Sequence, residues 1–244
     1  MRCINKATLV FLLLVFIIPL NSFARWLSVD PKASKYPNVS PYTYCLDNPI
    51  KMVDPDGKDS YLYTWAPKGG QIGHSAMGTD IRDDQGNKTG KIQVRHLWPA
   101  TGIDKKHTTA GADYLSETVD ISNMDEFEGG EGRGADAIVK IEGGIGQDAT
   151  VNAAFDQAAT NPTYGGTTNN CSKYTGAGIQ ATGINPGNGA AIQIKIKGVT
   201  VDMANTSTPV SVNNAVVGSG DPRVTVIKGL PSNQQNPNII LYEK

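Results

Sequence analysis

Cysteine is scarce in this chain, with three in 244 residues, at positions 3, 45 and 171. No Cys-x-x-Cys and no His-x-x-x-His spacing occurs, so the common spacings of a zinc site are missing. Charge of one sign is missing too: 22 Lys and Arg stand against 23 Asp and Glu, for a net charge of -1. Without a Lys/Arg stripe, nothing points to nucleic acid or to an anionic membrane surface as partner. Aromatic residues make up only 7% of the chain. The apolar run from Leu9 to Leu20 is shorter than the roughly 20 residues that a membrane-spanning helix needs. No internal repeat is visible.

What is present starts with a processing signal. Arg2 and Lys6 form a basic n-region, Leu9 to Leu20 an apolar h-region, and Ser22-Phe23-Ala24 a small-x-small cleavage site. Residues 1–24 therefore read as a signal peptide, with export to the periplasm or beyond the cell and a mature chain starting at Arg25. A retained N-terminal anchor is the alternative. Cys3 precedes the h-region, so it does not serve as a lipoprotein cysteine. After cleavage Cys45 and Cys171 remain. In an oxidising compartment an even pair raises a disulfide as one reading, although the surroundings of the two differ sharply. The mature length suits one core with a short leader, or a domain with an appendage.

Pro31 to Gly57 is rich in Pro, Asn, Asp and Tyr and reads as successive turns without an apolar face. From Asp59 the pattern changes. Tyr61, Tyr63 and Trp65 alternate with other residues as in a strand. Ile72 to Ile81 and Lys91 to Trp98 read as two more strands around the turn-forming Asp83-Asp84-Gln85-Gly86-Asn87. Met124 to Gly134 is acidic and glycine-rich and reads as a solvated excursion rather than a metal site. Asp148 can cap a helix whose Val151, Ala154, Phe155 and Ala158 fall at helical spacing. A second helix is expected from Cys171 to Thr182, closed by Gly183. Strands are expected at Ile192 to Val201, Val210 to Val217, Val224 to Ile227 and Ile239 to Tyr242. Strands, then helices, then strands predict an α+β domain over 59–244, an antiparallel sheet packed with a few helices.

With a turn centred on Gln85, His74 opposes His96 on the apolar face that also carries Ile72, Ala76, Ile92 and Val94. Opposed residues have Cβ atoms about 4.5–5.5 Å apart, so the two imidazoles are expected to touch. The third histidine, His107, lies beside Lys105 and Lys106 and reads as solvated. Asn169-Asn170-Cys171-Ser172-Lys173-Tyr174 ends a loop and opens the second helix. That helix carries Gly176 and Gly178, each costing about 1 kcal/mol against alanine, which suggests close approach to a neighbouring element. A thiol at a helix N-terminus beside an imidazole is the pattern of an activated nucleophile. A small buried hydrophobe is the plainer reading of Cys171.

Two resemblances rest on these residues. Trp26-Leu27-Ser28-Val29-Asp30-Pro31, Ser40-Pro41-Tyr42, Tyr44-Cys45-Leu46-Asp47-Asn48-Pro49 and Asp54-Pro55-Asp56-Gly57 resemble the closing segment of the core domain of Rhs-repeat proteins. The Tyr-Asp repeats of a full Rhs shell are missing. The resemblance makes residues 25–58 an Rhs tail and implies that a variable toxin-type module follows. It also implies a cognate neutralising (immunity) protein as partner. Second, Gly73-His74 on a strand, His96 on the next, and Asn170-Cys171-Ser172 opening a helix resemble a circularly permuted papain-like domain, related to NlpC-type peptidases and lecithin:retinol acyltransferase. That resemblance implies Cys171 as nucleophile, His74 as general base and then acid, and His96 as the residue orienting it. The Asn170 side chain would support the oxyanion beside the Cys171 backbone N–H. The implied reaction is hydrolysis of an amide or ester, with peptidoglycan peptides as the favoured substrate, no cofactor and no metal. Two rivals stand beside it: a His2Cys zinc hydrolase built from His74, His96 and Cys171, and a non-enzymatic exported interaction domain in which these residues are structural.

Overall fold

A computed structural model describes residues 59–68, 72–85, 87–100, 110–143, 147–196 and 199–242. They belong to one compact unit, Asp56–Lys244. The expected signal peptide (1–24), the Rhs-like segment (25–58) with Cys45, and His107 lie outside the described residues.

The domain is α+β, as expected. Its main sheet contains β1 (Ser60–Trp65), β2 (His74–Arg82), β3 (Lys88–Pro99), β4 (Ala110–Asp120), β5 (Ala137–Ile141), β6 (Thr163–Tyr164) and β9 (Val224–Lys228). The order across the sheet is β6-β4-β3-β2-β1-β5-β9, and every neighbouring pair is antiparallel. A second sheet joins β7 (Ala190–Ile196), β8 (Val199–Thr206) and β10 (Ile239–Tyr242) in the order β10-β7-β8. The helices are α1 (Gln147–Ala158), α2 (Cys171–Ala181) and α3 (Pro209–Val217).

Central β1 is buried along its whole length, because both faces of the sheet are covered. Side chains alternate between the faces. Leu62, Met77, Leu97, Val139 and Ile141 form one core with Val151 and Phe155 of α1, Tyr174 and Ile179 of α2, and Val212 and Val216 of α3. Tyr61, Tyr63, Trp65, Ala76, Ile92, Val94 and Ile138 form a second core on the other face, with Met124 and the partly buried Phe127.

That second core corrects the reading of residues 124–134 as a solvated excursion. Ile121–Glu126 is a 3-10 helix, and the segment after it closes over the sheet. Trp65 Nε1 donates to the Arg133 carbonyl at 2.8 Å and Trp98 Nε1 donates to the Gly129 carbonyl at 3.1 Å. Gly129 and Gly130 have φ of +55° and +87°, and Cβ atoms there would lie 2.6 Å from Trp65 and 3.2 Å from Trp98. Glycine serves here because the backbone must lie flat on indole rings with φ above zero.

A second correction concerns Val210 to Val217, expected as a strand and found as helix α3. Thr208 and Ser211 form a reciprocal capping box and proline occupies the first turn. These start signals outweigh the strand preference of four valines. The sequence reading also missed β4, β5 and the short β6, and Ile192 to Val201 divides between β7 and β8.

Candidate functional site

The histidine pair forms, although its register differs from the expected one. Near the turn Arg82 pairs with Lys88, as a Gln85-centred hairpin requires, but beyond an irregularity Asp80 pairs with Ile92 and Ala76 with His96. Three residues of β3 span the gap that Ile81 alone spans on β2, so the register shifts by two and the faces are kept. His74 and His96 become diagonal neighbours. His74 Nε2 lies 2.9 Å from His96 Nδ1.

Glu117 of β4 completes the chain, with its Oε1 2.9 Å from His96 Nε2. An ionised carboxylate only accepts, so His96 carries its proton on Nε2 and Nδ1 is left bare. His74 then donates from Nε2 to His96 Nδ1. The His74 ring stacks 4.3 Å from Trp98 and lies tilted at 5.5 Å from Trp65. Burial, and next the neighbouring His96, push the His74 pKa well below the ordinary imidazole value. Burial also lowers that of His96, against an opposing pull from Glu117 and Asp113. Both rings are therefore held neutral.

Cys171 opens α2 as expected, but neither histidine accompanies it. His74 and Ser75 are successive residues of β2 and point to opposite faces. The face holding His74 is under the 121–134 segment; the face holding Ser75 is under α2. Cys171 Sγ lies 3.8 Å from Ser172 Oγ, which in turn accepts from Ser75 Oγ at 3.3 Å. Burial raises the thiol pKa, and hydrogen bonds from Ser75 and Ser172 lower it by less. Against the expectation of a stabilised thiolate at this helix terminus, burial shifts the balance toward the thiol.

Asn170 also has a different task. Its side-chain oxygen caps α2 by accepting from Lys173 N at 2.9 Å, and its Nδ2 donates to the carbonyls of Gly166 (2.7 Å) and Ser207 (3.2 Å). With its donors engaged, it is not free to hold an oxyanion. Asn169 is a second anchor, donating to the Thr163 carbonyl at 2.6 Å and to the Tyr114 hydroxyl at 3.0 Å.

The structure thus brings His74 and His96 together and keeps Cys171 apart from them, with β2 between. A His2Cys zinc set does not converge, and no cluster of three or more His, Cys, Asp or Glu suited to a metal exists among the described residues. Glu117 and Ser75 were not anticipated as site residues. Glu117 was missed with β4, whose mixed Ala-Gly-Ala-Asp-Tyr-Leu-Ser-Glu-Thr-Val-Asp sequence lacks clean alternation; Ser75 was signalled only by its place next to His74. No protein-family model, curated protein or solved structure matches the chain.

Proposed function

We propose that the chain is an exported effector of the Rhs type whose folded module acts by binding, its histidine pair and its cysteine serving the fold. The observation that carries this reading is the separation of imidazole and thiol onto opposite faces of β2. A thiol nucleophile needs a base within hydrogen-bond reach, and here Cys171 meets hydroxyls. The position of the folded residues supports the effector assignment: the described residues start at Asp59, just past the Asp54-Pro55-Asp56-Gly57 motif, after which the Rhs resemblance implies a variable module. The partner proposed is a surface of the target cell, with a neutralising protein as the second partner.

The test is expression of the chain with export to the bacterial periplasm. Growth inhibition that persists in Cys171→Ala is the expected result. Loss of inhibition in a folded Cys171→Ala protein would overturn the binding reading.

That second outcome would favour a thiol hydrolase cleaving an amide or ester, with peptidoglycan peptides as substrate. One observation speaks for it: Cys171 heads a helix of 11 residues, and the positive end of a helix favours a developing oxyanion. Muropeptide analysis of cell wall treated with the reduced protein would reveal such cleavage.

A further inference from the structure

Residues 126–133 form a flap with a narrow neck. The ends of the loop meet, since a Cβ at Gly134 would lie 2.2 Å from the Asp125 carbonyl oxygen. Arg133, bound to Asp136 and to the Ala66 carbonyl, pins the same end. Between the ends the loop folds on itself, with Glu131 N donating to the Glu128 carbonyl at 2.9 Å. What holds it to the sheet is the Phe127 ring, 5.4 Å from Tyr63 and 5.8 Å from Trp65, and the indole N–H bonds of Trp65 and Trp98. A compact loop whose ends meet can leave a surface without moving the elements it joins. The face it covers holds the histidine pair. One hydrogen bond joins the two rings, and it needs a bare nitrogen on His96. A proton added there sets N–H against N–H. A proton added to His74 instead puts a charge on a ring that is 1% exposed and lies against Trp65 and Trp98.

We propose that the flap is an acid-released lid: protonation of the His74–His96 pair lifts residues 126–133 from the aromatic face while the sheet beneath stays folded. Water reaches the imidazoles once the flap lifts, so the lifted state binds protons more readily than the closed one, in which burial holds both rings neutral. Its population therefore rises as pH falls below about 6.5. Glu117 and Asp113 of β4 both favour the charged form of His96. Phe127, 6.1 Å away, is the ring that the flap sets against it. Glu131, in the flap itself, works the other way. Burial raises its carboxyl pKa, so gaining a proton there favours closure. The face that acid uncovers carries Tyr63, Trp65 and Trp98, and the device is independent of whether the module binds or cleaves its target.

Exchange of the Trp65 and Trp98 indole N–H protons, followed by NMR on the full chain, tests the proposal because lifting breaks both of their bonds. After correction for the intrinsic pH dependence, opening should rise at least about tenfold between pH 7.5 and pH 5.5. That is the effect of one imidazole titrating over one pH unit. The backbone amides of β1 and β2 should keep their protection over the same range. Glu117→Gln should move the rise to lower pH by about one unit, because the amide oxygen still accepts from His96 but no longer attracts a charge. The Glu117 side chain is 49% exposed, so this variant should keep its thermal transition, which is measured alongside. Indole exchange that does not respond to pH, that rises only together with exchange in β1 and β2, or that Glu117→Gln leaves unchanged would overturn it.

Discussion

Ser75, and not His74, is the β2 residue that meets Cys171. The hydroxyl accompanies the thiol under the N-terminus of α2, and the imidazole turns to the aromatic face between Trp65 and Trp98. From this one relationship follows the expected chemistry of the thiol.

Cys171 is 5% exposed and its pKa is raised by burial. Iodoacetamide should label it slowly at neutral pH in the folded protein and rapidly once the domain is unfolded in denaturant. His74→Ala should leave the pH profile of labelling unchanged, apart from any general loosening of the fold. A labelling limb that moves to higher pH in His74→Ala, with folding intact, would establish a working thiol–imidazole pair instead.

The histidines set a pH dependence of stability. Both have folded-state pKa values below the ordinary imidazole value of 6.5. Between that value and the lower folded values the unfolded chain binds more protons, so their contribution is present above about pH 6.5 and is lost as pH falls. Each imidazole kept neutral steepens the loss by up to about 1.4 kcal/mol per pH unit. Urea unfolding at pH 7.5 and pH 5 should show a clear drop in midpoint. In His74→Phe the drop should shrink, because one of the two titrating groups is gone.

Two glycines of α2 should respond in opposite directions. A Cβ at Gly178 would lie 2.4 Å from the Phe155 ring and 2.8 Å from Met77 Sδ, whereas one at Gly176 would meet only Pro186, at 3.4 Å. Gly178→Ala should cost about 1–3 kcal/mol through overpacking, despite alanine's helix preference. Gly176→Ala should be neutral or gain up to about 1 kcal/mol. Thermal denaturation of the two variants decides it; equal effects would mean that α2 does not sit this close to the sheet.

Asp59 ties three strands at the start of the module. Its carboxylate lies 2.6 Å from Lys88 Nζ and 3.0 Å from Lys140 Nζ, and Lys88 also reaches Asp80 at 2.9 Å. Burial opposes the ionised form, yet the two lysines hold the Asp59 pKa below its usual range. Both lysines are partly exposed, so the pairs count for less than buried ones. Asp59→Asn should cost about 1–2 kcal/mol, read from chemical denaturation at neutral pH and much reduced at acid pH, where the wild-type carboxylate is itself protonated.

Much of the central architecture was legible in the residues. Alternation in Tyr61-Leu62-Tyr63-Thr64-Trp65 located β1, the Asp83–Asn87 turn located the β2–β3 hairpin, and the loop ending at Asn169-Asn170 located the start of α2 at Cys171. The histidine contact survived a two-residue register shift because such a shift preserves the face. The site itself was less legible. Short motifs place His74 on a strand and Cys171 at a helix start, but they do not state which side of the sheet the helix covers. Only the packing of Met77 and Phe155 against Gly178 settles that. The docking of the 124–134 segment on the sheet was hidden for a related reason: it depends on two tryptophans far away in sequence, each offering a single N–H.

The alternation along β2 makes the thiol centre a matter of parity. An imidazole at an even position of this strand faces the tryptophans; one at an odd position would face the thiol. Exchanging His74 and Ser75, a change that keeps composition and strand length, would carry a base across the thickness of the sheet without moving the backbone. The gap between a structural histidine and a nucleophile's companion is therefore a single step along the chain, and the same short run of residues is within two substitutions of either condition.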